Sequence, residues 1–134
     1  MPKTSDYQAH QKKFLAAALP PLEVVDNHYS DREYLVHIEI PEFTCVCPKT
    51  GLPDFAVLTL DYVPAKSLVE LKSLKLHING YRNVGVFHEH VANKVLDDLV
   101  KALKPRRARL RADFHVRGGI HTVVTAYHRW KPEA

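Results

Sequence analysis

The segment Cys47-Pro48-Lys49-Thr50-Gly51-Leu52-Pro53-Asp54 constrains the fold of this chain more than any other. Two prolines and a glycine do not sit inside regular structure, so this stretch is a loop. Tyr34, Val36, Ile38 and Ile40 alternate with other residues before it, and Phe55, Val57 and Thr59 alternate after it. Alternation at period two marks half-buried strands, here over 33–47 and 54–63. Two such strands around a turn form an antiparallel hairpin. That hairpin sets Cys47 and Asp54 opposite each other at its mouth, with Cβ atoms roughly 5–8 Å apart. A nucleophile beside a proton donor, both on stiff strand ends, is an active-site layout.

The period then changes. Ser67-x-x-Glu70 has the pattern of a capping box and opens a helical stretch. Leu71, Leu74, Ile78 and Tyr81 follow at 3-4-3 spacing as a buried stripe. Lys72, Lys75, Asn79 and Arg82 repeat that spacing as a polar, basic stripe, and Gly80 ends or loosens the helix. A second helix runs from about Phe87 to Leu103 on an apolar face of Val91, Val95, Leu96, Leu99 and Leu103, until Pro105 stops it.

From Arg107 the period returns to two, with Ala108, Leu110, Ala112, Phe114 and Val116 facing one way. The Arg107, Arg109, Arg111 row faces the other, as a solvated or interface side. Gly118-Gly119 makes a hairpin turn, and 120–130 return as a fourth strand. The order is ββααββ, an α+β fold with an antiparallel sheet and two helices on one face. Residues 1–30 form an N-terminal arm without clear periodicity, and 31–134 a single domain.

A length of 134 residues suits one domain with its own core. Phe14-Leu15-Ala16-Ala17-Ala18-Leu19 is too short to span a membrane and ends in Pro20-Pro21. A cytosolic protein is expected. Cys45 and Cys47 are too close along one strand for a good structural disulfide, so both are read as free thiols. Cys45 is read as a small buried hydrophobe. The net charge of +4 favours an anionic partner such as RNA or a phosphate-bearing cofactor, or is an ordinary basic surface. Phe87-His88-Glu89-His90 brings a stacking ring, imidazoles and a carboxylate to a helix start. His28, His37, His115, His121 and His128 receive no role.

The segments FTCVCPKTGLPDF, VELKSLKLHINGYRN and FHEH, followed by the Arg117-Gly118-Gly119 turn, occur in order over roughly residues 33–130. Together they resemble the 7-cyano-7-deazaguanine reductases, NADPH-dependent nitrile reductases of queuosine biosynthesis. The resemblance implies the tunnelling fold, a ββααββ subunit that assembles into rings, here a homodecamer of two stacked pentamers. It implies Cys47 as the nucleophile that forms a thioimide with the nitrile, Asp54 as proton donor, and His88 close to the reacting centre. It places Glu89, Phe87, Glu70 and Ser73 at the substrate, and Lys72, Ser73, Lys75 and Arg117 at NADPH. No metal, membrane or direct nucleic-acid partner is implied. The aromatic residue usual after the Lys-Leu pair is here His77, an imidazole that can also stack.

Two other classes compete. A zinc hydrolase similar to the GTP cyclohydrolases would draw ligands from Cys45, Cys47, His88 and His90. A basic RNA-binding module would use the arginine face, although no familiar RNA-binding signature is present.

Overall fold

The computed structural model describes residues 19–132, so the part of the expected arm over 1–18 lies outside the described residues. The strands are β1 (Val24–Asp26), β2 (Val36–Val46), β3 (Pro53–Val63), β4 (Ser67–Val69), β5 (Arg107–Phe114) and β6 (Val123–His128). The helices are α1 (Leu71–Asn79), a 3-10 turn (Gly80–Asn83) and α2 (His88–Leu103). A four-stranded antiparallel sheet runs in the order β2-β3-β5-β6, and β1 and β4 form a separate two-stranded sheet. The ββααββ frame is present, with two short strands added to it.

Alternation explains the sheet. Ala56, Leu58, Leu60 and Tyr62 of β3 and Ala108, Leu110, Ala112 and Phe114 of β5 are buried on one face. They meet Val91, Val95, Leu96, Leu99 and Leu103 of α2, the stripe that the 3.6-residue period predicts. Each fully buried Val or Leu contributes roughly 1.5–3 kcal/mol relative to exposure. Lys104, at φ 46, closes α2 in the left-handed conformation ahead of Pro105. On the opposite sheet face Arg107 pairs with Glu33, Arg109 with Asp61 and Arg111 with Asp113.

The start of α1 differs from the capping-box expectation. Ser67 is in β4, where it pairs with Asp26 of β1. The true N-cap is Glu70, whose carboxylate accepts from the N–H groups of Lys72 and Ser73 at 2.9 and 2.7 Å. A carboxylate in that position satisfies two donors the helix leaves open and complements its dipole. Leu71 is correspondingly not part of the core stripe: it is 62% exposed, whereas Leu74, Ile78 and Tyr81 are buried.

Residues 19–30 of the expected arm pack onto the rest of the fold. β1 pairs with β4, and Leu19 and Leu22 pack against the core. The Glu23 N–H donates to Ser73 Oγ at 2.9 Å, and the Glu70 N–H donates to the Glu23 carbonyl at the same distance. This segment covers a second side of α1. It also explains Gly80, where an added Cβ would lie 2.9 Å from Leu19 Cδ2 and 3.0 Å from Pro20 Cδ. The glycine is needed for close approach, since its φ of −61 is ordinary helical backbone.

Candidate active site

The hairpin of β2 and β3 forms as the turn residues dictate, but its register differs from the expected one. Asp54 pairs across the ladder with Cys45, and Val46 with Pro53. Cys47 lies one step beyond, where its N–H donates to the Leu52 carbonyl at 2.8 Å and its carbonyl accepts from Gly51 N–H at 2.9 Å. The loop is thus Pro48 to Gly51, with Gly51 at φ 73 completing the reversal. Closing the loop between Cys47 and Leu52 leaves Asp54 two residues further along its strand. Cys47 and Asp54 are therefore diagonal neighbours, still close enough for the Asp54 charge to act on the Cys47 sulfur.

The two thiols have opposite characters. Cys45 has no exposed surface, and burial, aided by the charge of Asp54, pushes its thiol up to about 12. It is the inert core residue the sequence suggested, and a protonated thiol is a poor zinc ligand. At Cys47 burial also pushes upward. The Thr50 hydroxyl and the N–H groups of Thr50 and Lys49 outweigh it by hydrogen bonding to the sulfur, and the thiol titrates below its ordinary range.

Other elements converge on Asp54. The Val46 N–H donates to the Val84 carbonyl, and the Val86 N–H to the Val46 carbonyl, both at 3.0 Å. This short parallel pairing fixes the chain just before α2 against the end of β2, so Phe87, His88 and Glu89 emerge beside the hairpin mouth. His88 stacks flat on Phe114 from β5, with ring centroids 3.7 Å apart, and its Nε2 lies 3.2 Å from Asp54 Oδ2. Arg117 Nη1 forms an ion pair with Asp54 Oδ1 and donates to the Pro53 carbonyl at 3.3 Å. Gly118 and Gly119, at φ 58 and 77, form the tight turn behind Arg117. Asp54 itself is only 4% exposed. Phe87 is half-buried, Glu89 is exposed, and the ring of His90 meets Phe87 edge-on at 5.9 Å.

The residues expected at substrate and cofactor thus fall into two groups. Cys47, Asp54, His88, Phe87, Glu89 and Arg117 belong to the hairpin mouth. Arg117, expected among the cofactor cations, is engaged with Asp54, a contact that strand alternation alone could not reveal because it crosses from the β5–β6 turn to β3. Glu70, Lys72, Ser73 and Lys75 belong to α1. Glu70 is occupied as N-cap, and its carboxyl is held below the usual range by the Ser73 and Lys72 N–H groups. Ser73 is buried, with its hydroxyl shared between the carbonyl of Glu70 at 2.7 Å and the Glu23 backbone. The hydroxyl expected to meet substrate or cofactor is committed within the fold.

Lys72 and Lys75 are exposed. Lys75 borders a groove of about 290 Å³ formed with Ile38, Ile40, Leu74 and Ile78. The carboxylates of Glu39 and Glu42 also line that groove, and Lys72 lies outside it on the same helix, so among the described residues Lys75 is the one ammonium group at an apolar surface able to take part of a dinucleotide. His77 does not stack in that groove. It is buried, with Nδ1 hydrogen-bonded to the Pro20 carbonyl at 2.7 Å. Its Nε2 lies 3.2 Å from Asp98 Oδ2, off the line of a hydrogen bond.

Comparisons with known proteins bear on the chain's family and fold. The family model described as "QueF-like protein" matches residues 53–133. The chain is 61% identical over 115 residues to the NADPH-dependent 7-cyano-7-deazaguanine reductase of Nitrosomonas eutropha, covering 84% of this chain and 83% of the relative. It is 50% identical over 122 residues to the protein of the same name from Elusimicrobium minutum, covering 91% and 92%. Among solved structures, the apo archaeosine synthase QueF-Like superposes with a TM-score of 0.68. That match covers 73% of this chain and 96% of the other at 21% identity, and so shows the shared fold. With a family model matching more than half its length and relatives half or more identical over most of it, the chain belongs to the QueF-like family of 7-cyano-7-deazaguanine reductases.

Proposed function

We propose that this protein reduces the nitrile of 7-cyano-7-deazaguanine to an aminomethyl group with NADPH, through a covalent thioimide on Cys47, as a cytoplasmic step of queuosine biosynthesis. One observation carries the reading: a cysteine with a lowered thiol pKa sits at a hairpin mouth beside a buried carboxyl held by His88 and Arg117. The names of its relatives, which state NADPH dependence, supply the substrate and cofactor.

A nitrile carbon is electrophilic, and a thiolate is the side chain best suited to attack it. Sγ of Cys47 bonds to that carbon, one of the C≡N π bonds breaks, and the nitrogen takes a proton from Asp54. His88, 3.2 Å from the same carboxyl, is placed to resupply that proton. Glu89, exposed at the start of α2, accepts hydrogen bonds from adjacent N–H donors of the base, while Phe87 lies against its ring. Two molecules of NADPH bound in turn would each supply one hydride, and the two reductions together give the primary amine. Lys72 and Lys75 hold the phosphates of each, with Arg117 as a third cation at the reacting end. Between the two reductions the C–S bond breaks, the Cys47 sulfur departing as a thiolate and leaving the imine that the second hydride reduces.

The sheet ends in two edges, β2 and β6, which a soluble subunit must cover. Pairing them between subunits closes a ring, consistent with a homodecamer of two stacked pentamers in which α1 and the hairpin mouth of different subunits complete one site. The test is NADPH oxidation by the purified protein with and without the cyano substrate. Nitrile-dependent oxidation with the aminomethyl product supports the proposal. Stoichiometric zinc with hydrolysis, or salt-dependent RNA binding without oxidation, contradicts it.

A further inference from the structure

Phe114, the last residue of β5, has so far only a place in the core. Its side chain is 1% exposed, and one face of its ring lies flat against the imidazole of His88, with centroids 3.7 Å apart and planes 4° from parallel. The backbone there is held on both sides. The Phe114 N–H donates to the Thr122 carbonyl at 3.0 Å, and the His115 N–H to the Phe55 carbonyl at 2.9 Å. Across the ladder Phe114 pairs with Ala56, which is two residues from Asp54 and on the same face of β3. The inward neighbours Ala56 and Ala112 are small, so the phenyl ring offers a flat shelf beside the carboxyl of Asp54.

We propose that Phe114 is a positioning residue for His88, its ring face holding the imidazole in the plane that turns Nε2 toward Asp54. An imidazole turns about two side-chain bonds, and a hydrogen bond to its second nitrogen is the common way to fix it. His88 opens α2 with Nε2 3.2 Å from Asp54 Oδ2, and among the described residues nothing is hydrogen-bonded to its Nδ1. The stack takes the place of that bond. Tilting the imidazole out of its plane would drive it into a ring that close packing and the β5 ladder hold still. A protonated imidazole, the form that passes a proton on, is also attracted to the negative face of a phenyl ring. A residue that only filled the core would not need that face, since Leu or Met occupies a similar space.

The inference rests on the proposed passage of a proton from His88 to Asp54, so one readout is taken without substrate. In protein labelled with carbon-13 in its histidine rings, the His88 ring C–H signals are identified by their loss in His88→Ala. They should lie upfield, because they sit over the phenyl face, and move downfield in Phe114→Leu and in Phe114→Met. In both variants single-turnover NADPH oxidation should slow about tenfold, as expected when an acid–base group is misplaced rather than removed. Nitrile binding and KM for NADPH should change less than about twofold, the split that marks loss of a transition-state contact. In the His88→Ala background the same substitutions should cost little further, because the group they misplace is gone. Ring signals that stay in place overturn the proposal, as do full rates in both Phe114 variants when His88→Ala is slow. A loss of equal size with and without His88 also overturns it, since Phe114 would then only fill the core. Full-rate reduction by His88→Ala rejects the proton role of His88 itself, and overturns the proposal with it, whatever the ring signals do.

Discussion

Asp54→Asn tests the proton supply at the hairpin mouth. The substitution keeps the size of a side chain that is 4% exposed, and one oxygen remains to meet Arg117, so the fold should persist. What disappears is an ionisable proton next to the nascent nitrogen. General acid catalysis by a placed group is worth about 10²–10⁴ in rate. The lower part of that range applies here, because His88 remains and its Nε2 lies 3.2 Å from the position of the lost oxygen, within reach of delivering a proton itself. We expect reduction to slow by about 10²–10³, or roughly 3–4 kcal/mol of transition-state stabilisation. Single-turnover NADPH oxidation measures this, and equilibrium binding of the nitrile should change much less. A further large loss in the Asp54→Asn, His88→Ala double variant would identify the remaining donor. Reduction by Asp54→Asn at the unmodified rate would refute the reasoning, leaving Asp54 as the ion-pair partner that fixes Arg117.

Three other outcomes follow from the same geometry. Replacing Lys72 and Lys75 together by Ala should raise KM for NADPH about tenfold and reduce the preference over NADH, an effect that shrinks as added salt screens the phosphates; kinetics unchanged from the unmodified protein with both cofactors would show an ordinary solvated stripe. Asp98 is driven upward by burial, but the contact with His77 at 3.2 Å and two hydrogen bonds from Lys94 Nζ, at 2.6 and 2.7 Å, prevail and hold its carboxyl below the usual range. A depressed folded-state pKa stabilises above the unfolded value and fades as pH falls through the folded one, so Asp98→Asn should cost about 1–2 kcal/mol at neutral pH in urea titrations, and the difference should close below the unfolded carboxylate range. Light scattering should report a decamer whose activity disappears on dissociation, and a fully active monomer would contradict the shared site.

Much of this molecule was legible in its sequence, for physical reasons that also mark where legibility stopped. Long periodic segments were clear: the α2 stripe from Val91 to Leu103 and the alternation in β3 and β5 bury the residues the period indicates. Gly118-Gly119 also forms the turn that two left-handed residues require. β1 and β4 were missed because three residues each are too few to display a period. That omission had consequences, since the segment before β1 buries His77 and Ser73 and crowds Gly80. The hairpin was foreseen, but its register was two residues out at Cys47, because where the loop closes depends on backbone hydrogen bonds that side-chain alternation does not encode. Arg117 on Asp54 and His88 on Phe114 are contacts between distant segments, invisible to any local pattern.

The central claim is that Cys47 forms a covalent bond with the nitrile. Incubating the protein with 7-cyano-7-deazaguanine in the absence of NADPH and mapping the peptides by mass measures this directly. The substrate mass should appear on the peptide carrying Cys47, persist in Cys45→Ala, vanish in Cys47→Ala, and be discharged as the aminomethyl product when NADPH is added. An adduct on Cys45, or a Cys47→Ala variant that reduces the nitrile at the full rate, would contradict the account.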